Sequence, residues 1–531
     1  MTAAGSTPHA DDARLSPGPA SGAEAEGADL GSHGWPAEEI RRVGYQVVDL
    51  IAQYLTALPR GPVFQPVPAA QVDAFAAAPP PEHGAAPSAV LDEFARTIAP
   101  YPFGNGHPRF YGWVNSPPAV MGVFAAALAA AMNPSVAGGN HAAVYVEREV
   151  VDWFRRVLGF PPGSMGLLVS GGSAAATTAL AVARHVAARR RGWDVRAAGV
   201  QAPPGPGAPA RFIVYQSAEA HGCHQKSVEL LGIGSANLRV VESDAELRLS
   251  PRALDLAIRD DLARGHVPVV VVATAGTVNS GVVDPLDAIA DVSAEHGVWL
   301  HVDGAYGGPA ILTRRYRDAL AAVARADSVA LDPHKWLYVP VDAGLVLVRD
   351  GQAMRDAFSL VPPYLRTDGD VHGVQGPPWL SEYGPEQTRP FRALKVWMTL
   401  KQLGLDGYRR LVERDIALAE QLAARVREAP DLELWEPQGL SIVCFRYVLE
   451  HVRGRGGDQP RPDALDALDA LDALNRAVLE EVQLGGRAFL SSTVIGGRFW
   501  LRACIVNPLT EPAHVDALVA LVREAGARVA R

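Results

Sequence analysis

Between Glu38 and Leu58 the apolar residues Ile40, Val43, Val47, Ile51 and Leu55 recur at helical spacing, which predicts an amphipathic helix. Its stripe needs a cover, either the rest of the chain or a second subunit. Residues 1–35, ahead of it, are rich in Ala, Gly, Pro, Ser, Asp and Glu without periodicity and read as a disordered tail. The apolar run Ala119–Met132 is shorter than the roughly 20 residues of a membrane span and reads as a buried helix.

Farther on, short β-rich runs alternate with helical stretches. The runs are Leu167–Ser170, Phe212–Gln216, Leu238–Val241, Val267–Thr274, Val298–Asp303, Ser328–Asp332 and Gly344–Val348. Several are apolar throughout, as strands covered on both faces are. Helices between them fit βαβ crossovers, so an α/β fold with a mostly parallel seven-stranded sheet is expected. In such sheets ligands sit beyond the carboxyl ends of the strands. Residues 362–387 break the pattern and read as a long functional loop.

From Phe391 helical spacing returns, then the alternating stretches Leu440–Val448 and Arg498–Ile505 predict a smaller α+β domain. Asp463–Leu474 repeats Asp-Ala-Leu. A three-residue period drifts by about 60° per repeat around a helix, so this stretch, behind the linker Arg453–Pro462, reads as a surface insertion. The expected organisation is a tail (1–35), an N-terminal helical segment at a subunit interface (36–120), a large domain (121–390) and a small domain (391–531) with an insertion at 453–474.

A net charge of -9 argues against nucleic acid as the main partner, and no membrane partner is expected. Cys223, Cys444 and Cys504 show no CxxC spacing, so neither a disulfide framework nor a zinc site is expected, which fits a reducing cytoplasm. No basic segment followed by an apolar core marks a signal peptide. Nearly all basic residues are Arg; the lysines are Lys226, Lys335, Lys395 and Lys401. A Schiff base needs an amine that can lose its proton, which Lys can do and Arg cannot.

Among these lysines, Lys335 follows the β-like run ending at Leu331, in Asp332-Pro333-His334-Lys335-Trp336. That puts an amine at the carboxyl end of a strand. One crossover earlier, His301-Val302-Asp303-Gly304-Ala305-Tyr306 ends another strand. A carboxylate buried there needs a cationic partner, and a protonated pyridine nitrogen is one; an N-cap role for Asp303 is the alternative. Ser170-Gly171-Gly172-Ser173-Ala174 leads from a strand into an Ala-rich helix, an arrangement that can cradle a phosphate, although alone it is often a plain turn. His221, in Glu219-Ala220-His221-Gly222-Cys223-His224, could stack on a planar ring. His224 reads as structural, because a metal reading finds no third ligand at a recognisable spacing. Thr274 ends its strand as either a cofactor contact or a satisfied core residue.

In this order the segments resemble the group II pyridoxal-dependent decarboxylases, the family of aromatic-L-amino-acid, histidine and glutamate decarboxylases. The likeness runs from about Glu38 onward. It includes the helix Glu39–Leu58, His107-Pro108-Arg109-Phe110-Tyr111, the Gly-Gly-Ser turn, Ala220-His221, Ala273–Thr277, His301-Val302-Asp303, Pro333-His334-Lys335-Trp336, Arg389–Trp397 and Leu501-Arg502. The resemblance implies a fold type I (aspartate aminotransferase-like) homodimer using pyridoxal 5′-phosphate (PLP). Lys335 would form the Schiff base and Asp303 would face the ring nitrogen. His221 and Ala305 would sandwich the ring, Ser173, Ala174 and His334 would hold the phosphate, and Thr274 would lie beside the ring substituents. Tyr364, in a mobile catalytic loop, would return a proton after CO2 leaves; a Phe there marks aldehyde-forming relatives.

Three departures stand out. Gly304 replaces a usual Ala and is expected to loosen the backbone by the ring. Gly222 replaces a Ser, and Asp332 stands where Asn is frequent and is expected to act as a helix cap. Phe110, Tyr111 and Trp113 are the expected substrate pocket and favour an aromatic amino acid. Arg109 or Arg392 would be needed for an acidic one, and a diamino substrate, an aldehyde synthase and a non-catalytic regulator of the same fold are the other readings.

Overall fold

The computed structural model describes residues 34–200, 210–360, 373–449 and 462–531. The expected tail through residue 33, Tyr364 and most of the linker before the Asp-Ala-Leu repeat lie outside them. The larger sheet contains β1 (Met165–Val169), β2 (Phe212–Ser217), β3 (Leu238–Val241), β4 (Val267–Thr274), β5 (Trp299–Asp303), β6 (Ser328–Leu331) and β7 (Gly344–Val348). Its order is β1-β7-β6-β5-β4-β2-β3. The ladders from β6 across to β3 are parallel, whereas β7 runs antiparallel to both β1 and β6. This is a mostly parallel α/β sheet of fold type I.

β4 illustrates why the strand runs are so apolar. Every residue except Pro268 is buried, so neither face needs polar alternation. Pro268 lacks an N–H, and the β2–β4 register shifts beside its partner Ile213, as expected where a ladder bond cannot form. The helix Gly172–Arg189 packs on the sheet through Ala175, Ala176, Ala179 and Ala183; small side chains let it approach closely.

A second sheet, β8 (Leu432–Leu434), β9 (Ile442–Tyr447), β10 (Ser491–Ile495) and β11 (Arg498–Cys504), has the order β10-β11-β9-β8. It is antiparallel throughout. Its core is shared with the helices Pro462–Leu484 and Pro512–Val529 and with the end of Arg392–Glu428.

Two sequence expectations are corrected here. The Asp-Ala-Leu repeat is not a surface insertion but the first part of helix Pro462–Leu484. Leu471 inside the repeat begins a stripe continued by Asn475, Val478 and Val482, all buried. Asp472 Oδ1 accepts from the Phe499 N–H at 3.1 Å, so the repeat is tied to β11. The apolar helix Val120–Met132 buries only Gly122 and Ala125. Val120, Phe124, Leu128 and Met132 recur every fourth residue and are exposed, so one face lacks a cover among the described residues. Among the described residues no helix is long and apolar enough to cross a membrane.

Candidate active site

The site forms where β4, β5 and β6 end side by side. Thr274 closes β4 opposite Asp303, which closes β5 and is itself opposite Ala330 of β6. Past β6 the chain turns, with the Lys335 N–H donating to the Asp332 carbonyl at 2.9 Å. The turn is locked from behind: Trp336 Nε1 and the Tyr338 hydroxyl each donate to Asp415 Oδ2 at 2.8 Å. Burial pushes the Asp415 carboxyl up to about 7.

Lys335 Nζ lies 3.0 Å from Asp332 Oδ2. Asp332 is therefore an ion-pair partner rather than the expected helix cap, and the i, i+3 spacing of the two residues was the signal for it. Burial favours the neutral amine, but the charges of Asp332 and Asp303 outweigh burial and raise the Lys335 pKa. In the free protein the amine is thus stored as an ammonium ion.

Asp303 is buried and held on both oxygens. Its Oδ1 accepts from the Ala305 N–H at 3.0 Å, and His224 Nε2 donates to its Oδ2 at 3.0 Å. Burial alone would raise its pKa; His224 and the Lys335 charge hold it well below the usual carboxylate range. The chain after Asp303 is tight rather than loose, contrary to expectation: a Cβ on Gly304 would come within 3.2 Å of the Ala330 carbonyl and of Leu331 Cδ2.

The Gly-Gly turn packs against this group. A Cβ on Gly172 would lie 3.0 Å from Asp332 Oδ2 and 3.2 Å from Ala305, and one on Gly171 would lie 3.2 Å from His334 Cε1. Bare backbone is needed for so close an approach. A Cβ on Gly344, at the start of β7, would fall 2.4 Å from Gly171 Cα. Ser173 and Ala174 stand in the first turn of helix Gly172–Arg189, whose N-terminal dipole favours an anion. His334 is held by Nδ1, which accepts from the Ala343 N–H at 3.1 Å.

His221 is exposed, with Nδ1 accepting from the Cys223 N–H at 3.1 Å. The Cys223 side chain beside it, and then the Asp303 charge, raise its pKa against the opposing effect of partial desolvation. Sequence reasoning underrated the next histidine. His224 is fully buried, and its ring reaches Asp303 from the far side of β4, a contact that only the strand order reveals.

The three expected pocket residues separate. Trp113 is 46% exposed and stacks on Phe103 at 5.3 Å. Phe110 is buried behind it against Phe489, 5.1 Å away. Tyr111 belongs to the core of the smaller sheet, where its hydroxyl donates to the His514 carbonyl at 3.2 Å. It is a packing residue, not a pocket residue: the chain turns after it, with Trp113 at φ 48°, so Phe110 and Trp113 meet at 6.3 Å while Tyr111 points into the other core.

These groups fit PLP. The glycine cradle and helix start suit its phosphate, the amine suits its aldehyde, and the buried carboxylate suits its ring nitrogen. Thr274 Oγ1 is buried without a hydrogen-bond partner, a polar atom that a bound ligand can satisfy.

Comparison with known proteins agrees. The profile described as "Pyridoxal-dependent decarboxylase conserved domain" matches residues 74–448. An aromatic-L-amino-acid decarboxylase of Bacillus atrophaeus is 35% identical over 89% of this chain and 92% of its own. A phenylacetaldehyde synthase of Arabidopsis thaliana is 29% identical over 92% of this chain and 96% of its own. The crystal structure of Oryza sativa TDC with PLP and tryptamine superposes with a TM-score of 0.83 at 28% identity, covering 93% of this chain and 98% of that one. The chain therefore belongs to the pyridoxal-dependent decarboxylase family and is a PLP-dependent amino-acid decarboxylase.

Proposed function

We propose that the substrate is an aromatic L-amino acid, converted to its amine and CO2, with Lys335 as the residue that binds the cofactor. Bound PLP supplies an aldehyde for amines and an electron sink for the pair of electrons left when CO2 departs. Lys335 Nζ would hold the cofactor through its aldehyde. Asp303 would keep the ring nitrogen protonated, and His221 and Ala305 would flank the ring. Ser173, Ala174 and His334 bind the phosphate, Thr274 meets the ring substituents, and Tyr364 delivers the proton to the substrate carbon.

The observation that carries this reading is the meeting of an amine after β6, a buried carboxylate at the end of β5 and a glycine cradle after β1, which packs on that group across β7. Two features support an aromatic side chain. Trp113 and Phe103 offer ring faces, and Arg392 is already committed to Glu386 at 2.8 Å and Asp342 at 2.9 Å, which leaves it unsuited to a substrate carboxylate.

The protein is further proposed to act as a homodimer. The helix Ala37–Ala57 buries none of its residues, and the open face of Val120–Met132 adds more uncovered apolar surface. Cysteines that are all free and buried support a cytoplasmic setting.

The test is a screen of the standard amino acids and Dopa for CO2 and amine, run beside Lys335→Ala. Wild type is expected to turn over aromatic substrates and to show the visible absorbance of lysine-bound PLP. Lys335→Ala is expected to lose both; retention of that absorbance would remove Lys335 from its role.

A further inference from the structure

His224 is the buried titratable group that the proposed reaction leaves without a task. It stands in the helix Cys223–Leu230, directly after β2, with no exposure to solvent. Its ring bonds Asp303 Oδ2 through Nε2 at 3.0 Å while Nδ1 has no partner, and its backbone N–H donates to the His221 carbonyl. The ring is therefore held by Asp303 and Asp303 by the ring.

We propose that His224 is a positioning residue: as a buried imidazolium it grips Asp303 Oδ2, keeping that carboxylate ionised and aimed at the cofactor's ring nitrogen. The inference rests on the assignment of Asp303 to that nitrogen and adds what sets its charge and direction.

The argument is one of charge balance. A buried carboxylate with a single N–H donor is costly and takes up a proton. Asp303 would be in that position with the Ala305 N–H alone. With His224 it forms a neutral pair at hydrogen-bond distance before any cofactor enters, and a carboxylate still has lone pairs to spare. An Asp303 that had taken up a proton could not hold another one on the ring nitrogen, and the electron sink would weaken.

The groups around His224 agree with a charged ring. Burial opposes the charge, but Asp303 and the Cys223 sulfur, itself drawn down to about 7 by His221 and His224, outweigh it and raise His224 to about 10. The neighbouring His301 ring stands edge-on at 5.9 Å. Burial drives it down to about 3, and its Nδ1 bonds the Ser328 hydroxyl at 2.9 Å, so it stays neutral and does not compete. Lys335 acts on the pair through Asp303, and His221 lies on the other side of Cys223.

A metal ion shared by Cys223, His224 and Asp303 is the competing use of the cluster, since their ligand atoms lie within 4.8 Å of one another. Ligand atoms on one tetrahedral zinc, bound at about 2.1 Å, stand roughly 3.4 Å apart. The 3.0 Å separation of Nε2 and Oδ2 is that of a direct hydrogen bond.

Three variants test the proposal: His224→Gln, which keeps a donor without the charge, His224→Leu, which removes both, and Asp303→Ala. Apoenzyme of each is checked by circular dichroism and thermal unfolding, then titrated with PLP by fluorescence quenching. Wild-type apoenzyme labelled with nitrogen-15 histidine is expected to show an imidazolium doubly protonated at pH 8.5 that is missing from His224→Gln. PLP affinity and kcat are expected to fall about tenfold in His224→Gln and about a hundredfold in His224→Leu, the range for partners standing behind a ligand, with little change in KM.

Absence of the imidazolium signal, or wild-type PLP affinity and kcat in a folded His224→Gln, overturns the role of His224 and leaves Asp303 in place. Unchanged PLP affinity and absorbance in Asp303→Ala overturns both assignments together. Stoichiometric zinc in the purified protein, lost in His224→Leu, overturns the proposal in favour of the metal.

Discussion

A decarboxylase must decide where a proton goes once CO2 has left, and by resemblance that choice falls to the phenolic oxygen of Tyr364. A Tyr at that place favours return of the proton to the substrate carbon; the aldehyde-forming alternative is raised by the similarity to a phenylacetaldehyde synthase. Tyr364→Phe is expected to lower amine formation about a hundredfold or more, the usual contribution of a positioned acid, and to raise aldehyde, ammonia and peroxide. Chromatography of the products with a peroxide assay checks this, and an unaltered product ratio would remove Tyr364 from the mechanism. At this scale the sequence was most legible where a residue closes a strand: Lys335, Asp303 and Thr274 could be placed from their runs alone. His224 could not, since its partner is 79 residues away and two strands across the sheet. Tyr111 was misread because a motif names residues without saying which way each side chain turns.

Among the elements, the seven strands of the larger sheet were read to within about two residues, because burial on both faces leaves an unbroken apolar signature; β8 and β10 of the smaller sheet were missed. Helices that alternate between covered and open faces were harder, as the Asp-Ala-Leu segment and Val120–Met132 illustrate. One long-range tie between elements has an energetic consequence. Arg389 is 1% exposed and pairs with the fully buried Glu147 of helix Ala142–Val157. Arg389 Nη2 also donates to the Leu168 carbonyl in β1 at 2.7 Å, and Glu147 Oε1 accepts from the Leu168 N–H at 2.9 Å. Arg389→Met strands a buried carboxylate and is expected to cost about 3–5 kcal/mol, read as a fall in the denaturation midpoint. The double variant Glu147→Leu/Arg389→Met is expected to recover part of that loss.

For the whole molecule, the chain leaves apolar side chains uncovered on separate N-terminal elements, among them Tyr45 at 69%, Ile40 at 57% and Met132 at 59% exposure. Large exposed apolar patches mark interaction surfaces, and a second copy is the occupant proposed for them. Sedimentation is expected to give a particle of two 56.3 kDa chains. Phe124→Asp with Leu128→Asp is expected to yield monomers with at least tenfold lower activity; an active monomer would refute the dimer. The amphipathic stripe was visible in the sequence, but not what covers it, because periodicity reports that a face is apolar and is silent on its neighbour.

The contact between Gly171 and Gly344 bears on how such a site can change over generations. The bare backbone of Gly171 is the wall for Gly344: a methyl group on Gly344 would lie 2.4 Å from the Gly171 α-carbon, and no flexible side chain lies between them to yield. No single replacement at one glycine can be compensated by trimming the other, since neither has a side chain left to shorten. Variation in this enzyme is thereby steered away from the Gly171–Gly344 contact and toward exposed side chains such as the Trp113 ring.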